Sequence, residues 1–266
     1  MLLNSVIIIL REVLEAALLI SVLLVLSQSL DKSFRWVAWA LLAGMIGATV
    51  YGVNIDTISD WFDGVGQEVV NALLQVCIFT LIAVLMVLLP RQLYARESGR
   101  SLALVMIITV ALVLTREGAE VMIYLYGFLR GSDQLLSVLL GAGIGGSIGV
   151  SAGVLFYYLL RNRSKRRTVG ISIVVLMLVG SGMASQAAQL LIQADWLPSQ
   201  LPLWDSSGWI SETSVTGQLL YALVGYEATP TAIQAGFHFG GLLLLVIVFL
   251  VCQWRYRAAT RLAVNT

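Results

Sequence analysis

The sequence predicts an all-α integral membrane protein of seven transmembrane helices, arranged as two inverted three-helix repeats plus a seventh helix. Three observations predict it: a shortage of charge, seven apolar stretches of spanning length, and a charged five-residue motif in the first and fourth of them. Of 266 residues, 59% are hydrophobic and 12% charged, with mean hydropathy +0.90. Soluble domains carry about 25% charged residues. The solvent that suits such a chain is the bilayer. A net charge of +1 gives no electrostatic footprint for nucleic acid. Cys77 and Cys252 each lie alone in an apolar run, so neither a disulfide framework nor a zinc site is expected.

A spanning helix needs about 20 mostly apolar residues. Residues 3–27, 36–53, 69–89, 102–128, 135–160, 169–193 and 230–253 qualify. The first stretch, MLLNSVIIILREVLEAALLI, lacks a basic leading segment, and its first charge, Arg11, lies mid-run. It is expected to be a retained helix and not a cleaved signal. A shorter stretch, 214–226, is expected to lie at the interface or re-enter. The connections are brief, so one membrane domain fills residues 1–266.

Basic residues in short loops mark the cytoplasmic side. Of the 16 Lys and Arg, Arg11 and Arg116 lie inside spans and Arg130 lies on one side. All the others fall in the loops after the first, third and fifth spans or in the C-terminal tail. The opposite side carries Asp56, Asp60, Asp63, Glu68, Asp133, Asp195, Asp205 and Glu212. The N-terminus is therefore expected outside and the C-terminus in the cytoplasm. Gly141, Gly145, Gly149 and Gly153 recur at every fourth position in the fifth span, and Gly44, Ala48 and Gly52 do so in the second. Each set forms a flat face for close helix packing.

The chemistry lies in REVLE (Arg11, Glu12, Glu15) and REGAE (Arg116, Glu117, Glu120). Each charge near the bilayer centre costs about 2.5–3.5 kcal/mol on insertion scales. These six side chains must therefore face the bundle interior. Positions i, i+3 and i+4 share a helix face, so each motif presents two carboxylates with an Arg beside the second. Facing each other, two such helices would gather four carboxylates around one point. Oxygen donors of this kind suit hard cations. Simple ion pairing is the competing reading, but four carboxylates against two guanidiniums leave a formal charge of −2, which a purely structural device would balance. The motifs open two successive three-helix units of opposite orientation, the inverted repeat of many transporters whose sites lie at the repeat interface.

REVLEAALL, REGAEV and the later GQLLYALVGYEATPT resemble the paired REXXE motifs and the Gly-Tyr-x-x-x-Pro region of the oxidase-dependent iron transporter family. That family includes the fungal high-affinity iron permease and bacterial EfeU-type permeases. The resemblance covers nearly the whole chain. It implies a permease that carries ferric iron from outside to cytoplasm, across the cell membrane. Glu12, Glu15, Glu117 and Glu120 would be metal ligands, with Arg11 and Arg116 as supporting charges. It also implies iron as transported substrate with no permanently bound cofactor, and an extracytoplasmic iron-binding or iron-oxidising partner protein. One departure is Asn71, where some bacterial relatives carry an acidic residue early in the third span.

Glu68, Gln186 and Glu227 are candidate entrance or path residues; Gln186 could equally bond between helices. His238 is expected to make a helix–helix hydrogen bond, and Met122, Tyr124 and Tyr126 to pack. The basic run RNRSKRR sets topology first and touches lipid headgroups second. Transport of another hard divalent cation, such as manganese, stays open because carboxylates discriminate poorly. An intramembrane redox protein or enzyme is the other alternative. Against it stands the lack of paired membrane His, Cys pairs or a protease signature; no enzyme activity is expected.

Overall fold

The computed structural model describes residues 2–95, 100–129 and 135–264. Arg96, Arg130 and Asp133, used above for orientation, lie outside the described residues, as does the side chain of Arg261. Among the described residues the regular elements are all helical. In chain order the helices are α1 (Leu2–Ser29), α2 (Arg35–Val53), α3 (Ile55–Ser59), α4 (Gly66–Pro90), α5 (Arg100–Leu129), α6 (Leu135–Arg161), α7 (Lys165–Gln193), α8 (Val215–Val224) and α9 (Ala232–Val264). A 3-10 turn, Trp61–Gly64, precedes α4, and a π-helical turn, Arg91–Ala95, follows Pro90.

Six helices, α2, α4, α5, α6, α7 and α9, are long and apolar enough to cross a membrane. α1 matches them in length, with 28 residues, but carries Arg11, Glu12 and Glu15. α8, of 10 residues, is apolar but too short to span. Its ends are built locally. Ser214 caps the start by accepting from the Gly217 amide at 3.0 Å. Gly225 ends it in the left-handed conformation (φ 63°), a conformation that costs glycine little.

Close packing follows the glycine faces. On α6, Gly141 meets Leu2 and Ser5, Gly145 meets Val6 and Leu10, Gly149 meets Val13, and Gly153 meets Ala17. The contacts advance together, so α1 and α6 run parallel. On α2, Gly44 meets Leu114, Gly47 meets Thr115, and Gly52 meets Met122; α2 and α5 are likewise parallel. By contrast α1 and α5 are antiparallel, since Ser5 bonds Tyr124 and Glu15 meets Arg116. α4 and α7 are antiparallel too: Gln75 meets Gln186, and Ile82 meets Gly180. Lipid has no hydrophobic preference for helix over tail, so such small-residue seams supply the packing.

A Cβ on Gly145 would lie 2.5 Å from the Val6 carbonyl oxygen and 3.0 Å from the Leu10 nitrogen, both backbone atoms that cannot step aside. Gly145→Leu is therefore expected to force α1 off α6 and cost about 1–3 kcal/mol. Gly146→Ala, whose Cβ meets nothing within 4 Å, is the control. Thermal unfolding in detergent should show a lower midpoint for the first and little change for the second.

The basic loops gather at one end of the bundle. Lys165 pairs with Asp31 at 2.9 Å, Tyr157 donates to Gln28 at 3.0 Å, and Arg91 bonds Tyr256. At the other end, residues 194–214 fold over α8 and the start of α9. There Ser206 bonds Tyr226, and the Ala228 amide donates to Glu212 at 2.6 Å. Asp205 sits on this surface, and two hydrogen bonds from Ser207 lower its carboxyl pKa.

Candidate metal centre

The two charged motifs meet in the interior, one helix against the other. Arg11–Glu15 lies about 14–20 Å from the Leu2 end of α1, and Arg116–Glu120 about as far from the Leu129 end of α5. Because the helices are antiparallel, the motifs stand at one depth. Glu12, Glu15, Arg116 and Glu117 are only 2–5% exposed.

Arg116 is the hub. Its Nη1 contacts Glu117 Oε1 at 2.6 Å and Glu15 Oε2 at 3.5 Å, and its Nη2 contacts Glu120 Oε1 at 3.0 Å. The remaining side of the guanidinium faces Gln75 on α4. With its oxygen turned toward those donors, Gln75 accepts from Nη1 at 3.2 Å and Nε at 3.1 Å. The same Gln75 oxygen faces the Gln186 amide on α7, which, turned likewise, bonds it by donating from its own Nε2. Side chains of four helices are thus linked through one cation.

The carboxylates are only partly satisfied by it. Oε2 of Glu12, Glu15 and Glu117 is in each case buried without a hydrogen-bond partner. Glu12, Glu15 and Glu117 can each offer an oxygen within 4.8 Å of the others. Three oxygens spread around one ion with bonds of about 2.0–2.2 Å lie about 3.5–3.8 Å apart, so the cluster draws inward to hold a shared ion.

The two motifs are not equivalent. Arg11 is 37% exposed at its side chain and contacts Glu15 at 3.5 Å. Its guanidinium lies 3.9 Å from the centre of the Tyr221 ring on α8, a cation–π contact. Glu120 stands apart from the triad, with its side chain 29% exposed and bound to Arg116.

Among the path candidates, Gln186 joins the hub through Gln75. Glu68, half-buried in the first turn of α4, is an electrostatic neighbour of Tyr51, as is Glu120. Glu227, between α8 and α9, accepts from Gln234 Nε2 at 2.8 Å, and burial raises its carboxyl pKa. It lines a cavity of about 210 Å³ with His238. His238 makes no helix–helix hydrogen bond among the described residues; its ring packs edge-on against Phe239. Asn71 accepts from the Tyr51 hydroxyl at 3.0 Å. Tyr124 does more than pack, since it bonds Ser5 at 2.7 Å.

Sequence reasoning missed Gln75 and Tyr221. A second amide one turn after Asn71 in the apolar run VVNALLQVCIFTL was a signal for the first, because uncompensated polar groups are costly there. Nothing in the sequence pointed to the second.

Apolar helices surrounding a buried cluster of acids and arginines define a multi-pass membrane protein with a charged interior. A family model described as the Iron permease FTR1 family matches residues 2–265, and the chain belongs to that family. It is thus an iron-transport protein, with iron as its substrate. Comparison with curated proteins and with solved structures returned no match.

Proposed function

We propose that the chain is a single permease domain that moves ferric iron from outside to the cytoplasm across the cell membrane, with Glu12, Glu15, Glu117 and Glu120 as ligands. The observation that carries this is the trio of buried carboxylates on α1 and α5, each with an Oε2 that has no hydrogen-bond partner. Uncompensated buried charge is costly, and a hard cation satisfies it with the donors it prefers. Arg116 is the counter-charge of the unloaded site, and Arg11 assists from the α8 side. Glu68 and Glu227 attract the cation at the acidic end. Gln186 steadies Gln75 and, through it, Arg116. An extracytoplasmic protein that binds or oxidises iron would deliver it to that end.

The same reading makes α1 a seventh span and the bundle an inverted repeat. Exchanging α1, α2 and α4 with α5, α6 and α7 turns the parallel pair α1–α6 into the parallel pair α2–α5. The antiparallel pairs α1–α5 and α4–α7 map onto themselves. This symmetry of packing supports the repeat, and the acids then lie at its interface. α9 stands outside it.

Direction is tested by topology. A reporter active only outside the membrane is expected to work in the 196–212 loop and to fail in 161–167 or at the C-terminus. The reverse pattern would overturn the orientation. The ligand assignment is tested by metal-resolved uptake with glutamate variants, set out in the Discussion.

A further inference from the structure

A groove of about 700 Å³ opens between α7 and α9 at the basic end, far from the acidic cluster. Val169, Ile173 and Met177 form one wall, and Val246 and Phe249 the other. From Arg166 to Met177 it follows α7 for about 16 Å, close to the depth of one leaflet, half of a core about 30 Å thick. The π-helical turn after Pro90 closes its end with Leu93 and Tyr94.

The mouth carries Lys165, Arg166 and Arg257, all exposed. Lys165 is partly neutralised by Asp31 at 2.9 Å. Arg257 is held in place by donating from Nε to the Tyr94 hydroxyl at 2.8 Å. Arg166 has no carboxylate partner among the described residues. At Gly170, inside the groove, an added Cβ would meet nothing within 4 Å.

We infer that this groove binds an anionic phospholipid, with one acyl chain along the α7–α9 walls and its phosphate between Arg166 and Arg257. Fixed cations at the rim and a leaflet-deep apolar shaft match that molecule in both charge and length. A free anion would use only the rim, and a zwitterionic lipid would gain less from it. The bound lipid would bridge α7, the turn after α4, and α9, which lies outside the repeat.

The test uses the full chain purified in detergent. Phosphatidylglycerol, phosphatidylcholine with the same acyl chains, and inorganic phosphate are titrated separately, with bound lipid read by native mass spectrometry. Phosphatidylglycerol is expected to bind preferentially. R166Q/R257Q should weaken it roughly tenfold or more. Gly170→Phe should displace it with the arginines intact. Both variants alter exposed positions, and an unchanged unfolding midpoint without lipid confirms that the fold is kept. Equal binding of the two lipids, unchanged affinity in either variant, or displacement of phosphatidylglycerol by inorganic phosphate would overturn the assignment.

Discussion

Replacing Glu15 and Glu117 together by glutamine is expected to weaken iron binding by roughly 100-fold or more while leaving the protein folded. Removal of a partner that merely orients a metal ligand already costs 10–100-fold, and these two would be ligands. The fold should survive for an electrostatic reason. The cluster holds four carboxylates and two guanidiniums, so removing two negative charges balances it. Arg116 keeps Glu120 at 3.0 Å and the Gln75 oxygen at 3.1–3.2 Å. Glutamine preserves volume and hydrogen-bonding capacity. Calorimetric iron titration beside thermal unfolding separates the outcomes. A fall in stability with iron affinity intact would mean that the glutamates only pair with arginine.

Arg116→Leu should do the opposite and remove the fold first. It strips the buried cation from Glu15, Glu117 and Glu120 at once, leaving partly exposed Arg11 as the remaining positive charge of the motifs. Breaking a buried ion pair from one side typically costs about 3–5 kcal/mol, a large part of a marginal stability. Arg116→Lys keeps the charge but loses the fork that serves three carboxylates and Gln75, so it should be intermediate. Adding Glu117→Gln to Arg116→Leu should return part of the loss, because the two residues are coupled. Yield of folded protein and unfolding midpoint check this; a stable Arg116→Leu protein would show that the carboxylates do not depend on it.

The helices were largely legible because membrane spans are written in long apolar runs. The span expected at 135–160 is α6, Leu135–Arg161, and that at 36–53 is α2, Arg35–Val53. The last span was less legible: α9 continues to Val264, past the apolar run, because a helix can extend beyond the hydrocarbon on charged residues. The glycine spacing correctly announced two close seams but not their partners, since one sequence face does not name the helix it meets. The same limit applies inside the centre. Cost in the bilayer marked Arg11, Glu12, Glu15, Arg116, Glu117 and Glu120 for the interior. It could not assign Arg116 to the hub and Arg11 to the Tyr221 ring, because that asymmetry comes from α4, α7 and α8. The expected ring of four carboxylates is, in the structure, a triad with Glu120 beside it, as Arg116 holds Glu120 on its own helix at i+4.

The central claim is that iron crosses by way of the carboxylates shared between α1 and α5. Its most direct test is uptake of radiolabelled iron and radiolabelled manganese by purified protein in liposomes, for the unaltered chain and for Glu15→Gln/Glu117→Gln. The expected result is iron uptake by the unaltered protein, little manganese uptake, and no iron uptake by the folded double variant. Undiminished iron uptake by that variant, or manganese carried in place of iron, would contradict it.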